Sequence, residues 1–140
     1  MAYKKTKTHN KNLASAAKQA GVERPVDYAV FQTFGYKGLY GGLDRLGIQR
    51  KKGLRAKQQL LDHMGSTELA ANLFRATQTE DKLRRENIRG KEAANAAHFE
   101  VGRKVRQTIK EIGGTMPEDL PVAEDIKKVE RRIKKAIEKK

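Results

Sequence analysis

The stretch Asp62–Glu80, DHMGSTELAANLFRATQTE, decides the fold class. Ser66 and Thr67 are residue types that cap helix starts, and Glu68 falls in the first turn, where a carboxylate suits the helix dipole. Behind them Leu69, Ala70, Leu73, Phe74 and Thr77 recur at helical spacing. The segment therefore predicts a helix from Thr67 to about Glu86 with one buried face, and Leu69, Leu73 and Phe74 at the centre of the core.

Working outward, the other patterned segments read the same way. Thr6 to Ala20 sets Leu13, Ala16, Ala17 and Ala20 on one stripe, with Gly21 placed to end it. Pro25 favours a helix start leading into Val26, Ala29, Val30 and Phe31. Gly35, Gly38, Gly41 and Gly42 predict a break into short turns, with a short helix over Leu39–Leu46 and a basic connection over Ile48–Gly53. A helix at Ala56–Met64 precedes the long one. Asn87–Gly90 reads as a turn, and Lys91–Ile112 as a second long helix ended by Gly113 and Gly114. Beyond the proline-bearing Thr115–Pro121, the stripe Ile126, Val129, Ile133 and Ile137 runs through a segment otherwise rich in lysine and arginine. No strand-like alternation appears. The expected fold is all-α: a compact helical bundle over residues 1–114, a linker over 115–122 and a separate basic amphipathic helix over 123–140.

Lysine and arginine number 31 against 17 acidic residues, a net charge of +14. Such a field attracts polyanions, of which nucleic acid is the commonest inside cells. The chain has no cysteine, which excludes disulfides, thiolate metal sites and a cysteine nucleophile. The start MAYKKTKTHNK lacks a signal peptide's apolar stretch, and no run approaches a membrane span, so a cytoplasmic protein without a membrane partner is expected.

His9, His63 and His98 sit on different segments with no ligand-like spacing, so neither a metal site nor a cofactor is expected. His98 falls on an apolar helix face and reads as a core histidine. Asp62 beside His63 lacks the third group of a triad, and capping and packing account for Asp62 and Glu68 better than a nuclease metal pair. The glycines from Gly35 to Gly42 match no phosphate-loop pattern and read as tight turns and close helix contacts, with Tyr36 and Tyr40 packed between them. No catalytic constellation emerges, and the expectation is a protein without enzymatic activity.

The basic clusters are the candidate nucleic-acid contacts. Arg50, Lys51, Lys52, Arg55 and Lys57 lie in and after a turn. Lys82, Arg84, Arg85, Arg89 and Lys91 flank the junction of the long helices. Arg103, Lys104 and Arg106 are expected on the outer face of the second. The stripe of Ile126, Val129, Ile133 and Ile137 offers a surface for a second copy or a partner helix, while its basic face suits a polyanion.

Three separated motifs in one order carry a family resemblance: Asp62–Glu80, FQTFGYKGLYGGLD at Phe31–Asp44, and HFEVGRKVRQTIKEIGGTMPEDLP at His98–Pro121. Together they resemble the C-terminal half of the bacterial DNA-damage-inducible protein D family, from about Lys7 to Pro121. The resemblance implies a place in the SOS response and no assigned enzymatic activity. Members usually carry a further N-terminal domain resembling that of viral BRO and phage antirepressor proteins; such a domain is not among these residues, so a fragment or a short member is expected. The function expected is binding, during repair, to DNA or to recombinase-coated single-stranded DNA. The alternative is a protein–protein interaction or oligomerisation module whose positive charge is incidental.

Overall fold

Alanine, leucine, lysine, arginine and glutamate dominate the patterned segments, and the chain forms helices wherever glycine and proline permit. The computed structural model describes residues 2–124 and 126–138. They form α1 (Ala2–Gln19), α2 (Pro25–Leu39), α3 (Arg45–Lys52), α4 (Ser66–Arg85), α5 (Lys91–Glu111) and α6 (Ile126–Glu138), with 3₁₀ turns at Leu60–His63 and Pro117–Asp119. Among the described residues there is no strand, only an isolated bridge between Met64 and Val122. The fold is all-α.

Two helical hairpins stack on each other. The α1–α2 hairpin turns at Gly21, whose φ of +110° suits a residue without a side chain. The α4–α5 hairpin turns through Asn87 and Gly90, and the Gly90 amide donates to the Ala20 carbonyl, tying the two turns together. Tyr3 bonds Asp62 just ahead of α4 while Arg84 at the far end of α4 bonds Gln19, so α1 and α4 run parallel. Asp27 pairs with Lys91 near the start of α2 and α5, and Arg106 reaches the Leu39 carbonyl near their ends, so these two also run parallel.

The core has two parts. Leu13, Ala16, Phe31, Ala76, Leu83 and Ala94 fill the hairpin-turn end. Leu39, Tyr40, Ile48, Leu60, Met64 and Leu69 fill the other. Between them α2 and α5 cross at very short range. A methyl group on Gly35 would lie 2.2 Å from His98 Nε2, and one on Gly102 2.8 Å from the Gly35 carbonyl oxygen.

That crossing corrects one expectation. Gly35 and Gly38 do not break α2; the helix runs through both, and both are buried against α5. Close packing there outweighs the roughly 1 kcal/mol that a mid-helix glycine costs. The next boundary also moves. Asp44 accepts a hydrogen bond from the Gly47 amide at 2.8 Å and caps α3, so Tyr40–Asp44 is loop and the predicted basic connection is itself helical. Ala56–Met64 holds only a 3₁₀ turn, and Gly65, not Ser66 or Thr67, caps α4.

The rotation of α4 brings the largest correction. Its buried residues are Glu68, Leu69, Asn72, Arg75, Ala76, Thr79 and Leu83; Phe74 is 50% exposed and Leu73 half-buried. Leu69 is core, but Phe74 is not.

Residues 115–122 lie against the bundle. Pro117 is buried, and Lys52 Nζ donates to the Leu120 carbonyl. The Ala123 amide donates to the His63 carbonyl. Beyond that point the α6 stripe has little cover: Val129 is half-buried, Ile133 and Ile137 are exposed, and the Ile126 side chain lies outside the described residues.

Candidate nucleic-acid interface

A chain of buried polar groups fixes the helices that carry the surface charge. Lys52 of α3 pairs with Glu68 of α4 at 2.9 Å, with both side chains almost fully buried. The other Glu68 oxygen accepts from the Tyr40 hydroxyl, which accepts from Asn72 at 3.0 Å. Arg75 donates to Asn72 at 3.1 Å and to His98 Nε2 at 2.6 Å, and its guanidinium lies over the Tyr36 ring. His98 Nδ1–H donates to the Phe31 carbonyl at 2.9 Å. Arg75 has only hydrogens to offer, so the imidazole is neutral, with its one proton on Nδ1. Burial, and then the Arg75 charge, hold the His98 pKa well below its usual 6.5. His98 is the satisfied core histidine its position predicts.

This network removes Lys52 from the candidate surface, because the protein uses its ammonium internally. The same correction applies to Arg106. It is half-buried, not on an outer face, and forms a two-pronged ion pair with Glu118 at 2.8 and 2.9 Å while bonding the Leu39 carbonyl. The side-chain hydrogen bond to Glu118 raises the Arg106 pKa. Burial raises the Glu118 carboxyl, but the hydrogen bond from Arg106, a backbone hydrogen bond and the Arg106 and Lys51 charges together leave its pKa lowered. Lys51, exposed, sits 3.5 Å from Asp119 of the same turn.

The remaining candidates divide by their surroundings. Arg50, Arg55 and Lys57 are exposed, and among the described residues their side chains have no ion pair or hydrogen bond. Arg103 is in the same condition. Lys104 pairs with Glu100 one helical turn away. Arg84 bonds Glu80 and Gln19, Arg85 bonds Asp81, and Arg89 donates to the Gln19 carbonyl. The Arg84–Arg89 cluster is thus engaged by its own acids and by α1. It also stands apart from the others: Lys91, just after it at the start of α5, is about 22 Å from Arg106 by helical rise. Lys51 of α3 and Arg106 of α5 do come together, pairing with Asp119 and Glu118 of the one Pro117–Asp119 turn.

Two lysines that the charge clusters of the sequence do not single out complete the picture. Lys37 and Lys110 join Arg103 and Arg106 around an open cleft of about 690 Å³ where the end of α2 meets α5, with Phe99 in its wall. On α5, Phe99, Arg103, Arg106 and Lys110 follow one another at intervals of four, three and four residues, the spacing of one helix face. That interval is the signal the sequence offers for Lys110. Lys37 has none, because nothing in the sequence says which face of α2 meets α5.

Asp62 and His63 serve the fold. Asp62 accepts from Tyr3 at 2.7 Å, and His63 Nδ1 lies 3.3 Å from the Ala123 carbonyl oxygen. Among the described residues no group of three or more acidic or histidine side chains could hold a metal ion. No helix there is long and apolar enough to cross a membrane.

A protein-family model described as the DinD C-terminal domain matches residues 2–129. The chain is 61% identical over 129 residues to the DNA damage-inducible protein D of Escherichia coli strain K12, covering 91% of this chain and 47% of that protein. It therefore spans about half the length of the curated relative it matches. No solved structure matches it. With three-fifths of its residues shared along nearly its whole length, and the family model spanning α1 to α5, the chain belongs to the DinD C-terminal domain family.

Proposed function

We propose that this domain acts in the DNA-damage response as a non-enzymatic binding protein, and that its ligand is DNA, bare or coated by a recombinase. What supports this reading is two groups of cations without partners among the described residues: Arg50 near the end of α3 with Arg55 and Lys57 just beyond it, and Lys37, Arg103 and Lys110 around the α2–α5 cleft. Self-repulsion there favours an anionic ligand, and phosphates released from their counterions supply the free energy. The family supports the same setting, since its relative is named for induction by DNA damage. No base-reading motif accompanies the charge, so affinity depends on salt and little on sequence.

Fluorescence anisotropy with labelled DNA across a salt series tests this. Log affinity should fall linearly with log salt, by about 0.7 to 0.9 per phosphate contacted. Charge reversal at Arg50, Arg55 and Lys57 should flatten the line more than reversal at Arg84, Arg85 and Arg89, which already have partners. Failure of both single- and double-stranded DNA to bind at low salt would remove the reading.

One observation favours the interaction-module reading. Phe74 and the 78% exposed Ile112 border an apolar groove of about 270 Å³ between α4 and α5. Apolar surface of that kind suits a protein contact and not a phosphate chain. A pull-down that retains protein after nuclease digestion, and loses it in a Phe74→Asp variant, would favour that reading.

A further inference from the structure

The cleft between α2 and α5 has a composition that a charged surface alone does not explain. Its wall includes Phe99, 38% exposed, beside Met116 and the Gly41–Gly42 loop. Part of the Phe99 ring thus stays open to a cleft lined by cations. The helix crossing sets the arrangement. A methyl group on Gly38 would lie 2.3 Å from the Phe99 carbonyl oxygen and 3.0 Å from the Arg103 amide nitrogen, and Lys37, next to Gly38, lines the same cleft as Arg103. From Arg103 to Lys110 the stripe advances about 10 Å along α5. Glu118 reaches this group, and both its oxygens are bound by Arg106. Lys37, Arg103 and Lys110 are left without a partner among the described residues.

We infer that this cleft seats a short run of single-stranded DNA, an unstacked base lying on Phe99 and adjacent phosphates held by Lys37, Arg103 and Lys110. An aromatic platform flanked by cations recognises single strands, because every base has a π-face and a stacked duplex offers none. The inference rests on the nucleic-acid reading above and adds the strand form and the place. It demands little sequence preference and a few nucleotides in the cleft.

The full chain contains no tryptophan, so Phe99→Trp provides a reporter that keeps a stacking surface. Oligothymidylate should quench its fluorescence, while a hairpin duplex of equal charge should not. Phe99→Ala should weaken oligothymidylate binding about 5- to 150-fold, the loss of one stacked base, and leave duplex binding unchanged. Lys37→Ala with Arg103→Ala should reduce the single-strand salt slope by about 0.7 for each phosphate no longer held. Both lysine and arginine are exposed, so thermal melts should match the parent and keep the test open if the Phe99 variant is unstable. If the parent binds single strands and all these variants bind them equally, the cleft is not the site, although the nucleic-acid reading survives. If polyglutamate displaces the oligonucleotide at matched charge, or quenches the tryptophan, the cleft takes acidic protein segments and the inference is overturned. If the parent binds no DNA at all, both the inference and the reading beneath it fall.

Discussion

Phe74 shows how far periodicity reaches at the residue scale. Leu69, Leu73 and Phe74 are the large apolar residues between Ser66 and Glu80, and a hydrophobic count aims the helix at them. The structure turns it toward Asn72, Arg75 and Thr79, which are 2% exposed or less. Arg75 decides the outcome, because its partners His98 and Asn72 and the Tyr36 face lie where those polar residues point. No pattern rule places a buried guanidinium, so this part of the site was not legible, whereas His98 as a satisfied core histidine was. Two consequences follow. Phe31, fully buried, should cost about 3–5 kcal/mol when replaced by alanine, and Phe74→Ala less than about 1.5 kcal/mol. Urea unfolding of the two variants checks this, and equal losses would show Phe74 to be core after all. The second concerns pH. Folded His98 stays neutral, while the unfolded imidazole takes up a proton below about pH 6.5. The unfolded state then binds more protons, so stability falls as pH drops through that value, by at most about 1.4 kcal/mol per unit from this group. His98→Gln can still accept from Arg75 and donate to Phe31, and its melting temperature should decline less than the parent's between about pH 7 and 5. Parallel declines would mean that other groups carry the acid sensitivity.

At the scale of elements, the bounds of the long helices α4 and α5 were legible nearly to the residue, since stripes and end signals agree there, and so was the end of α1, although that helix starts at Ala2, four residues ahead of the expected Thr6. The region from Gly35 to Gly65 was not. Glycine carries two opposite meanings, a break where the backbone must reverse and a contact where another helix must approach. Gly41 and Gly42, with φ of +66° and +99°, carry the first. Gly35 and Gly38 carry the second, and only the position of α5 separates the cases. Gly35→Ala should accordingly cost about 3 kcal/mol, because its methyl would overlap the fully buried His98 ring. Gly65→Ala is the control, since a Cβ there meets nothing within 4 Å and φ is −74°. It should change stability by no more than about 1 kcal/mol. Comparable losses at both positions would refute the close crossing.

For the whole molecule, the question is where the cooperative unit ends. The sequence suggests a boundary at Gly113–Gly114, but the packing runs further. Glu118 binds Arg106, the Leu120 carbonyl accepts from Lys52, Val122 bridges to Met64, and the Ala123 amide reaches His63. After that α6 exposes Ile133 and Ile137, and an isolated helix of this length is marginal in water. A chain stopped after Glu124 should therefore unfold cooperatively, with a melting temperature within about 4 °C of the parent, the shift expected from less than about 1 kcal/mol. A chain stopped after Glu111 should lose several kcal/mol. It leaves Arg106 without its carboxylate and the almost fully buried Lys52 ammonium short of an acceptor, and removing one partner of a buried charge is costly. The first truncation also removes eight cations and three acids, leaving +9. Its affinity for DNA should fall through charge alone, with single-strand preference intact because the α2–α5 cleft is untouched. Scanning calorimetry and anisotropy on the same two chains separate these effects. A broad, non-cooperative melt of the longer one would place α6 inside the folding unit, and loss of its single-strand preference would move the nucleic-acid contact onto that helix.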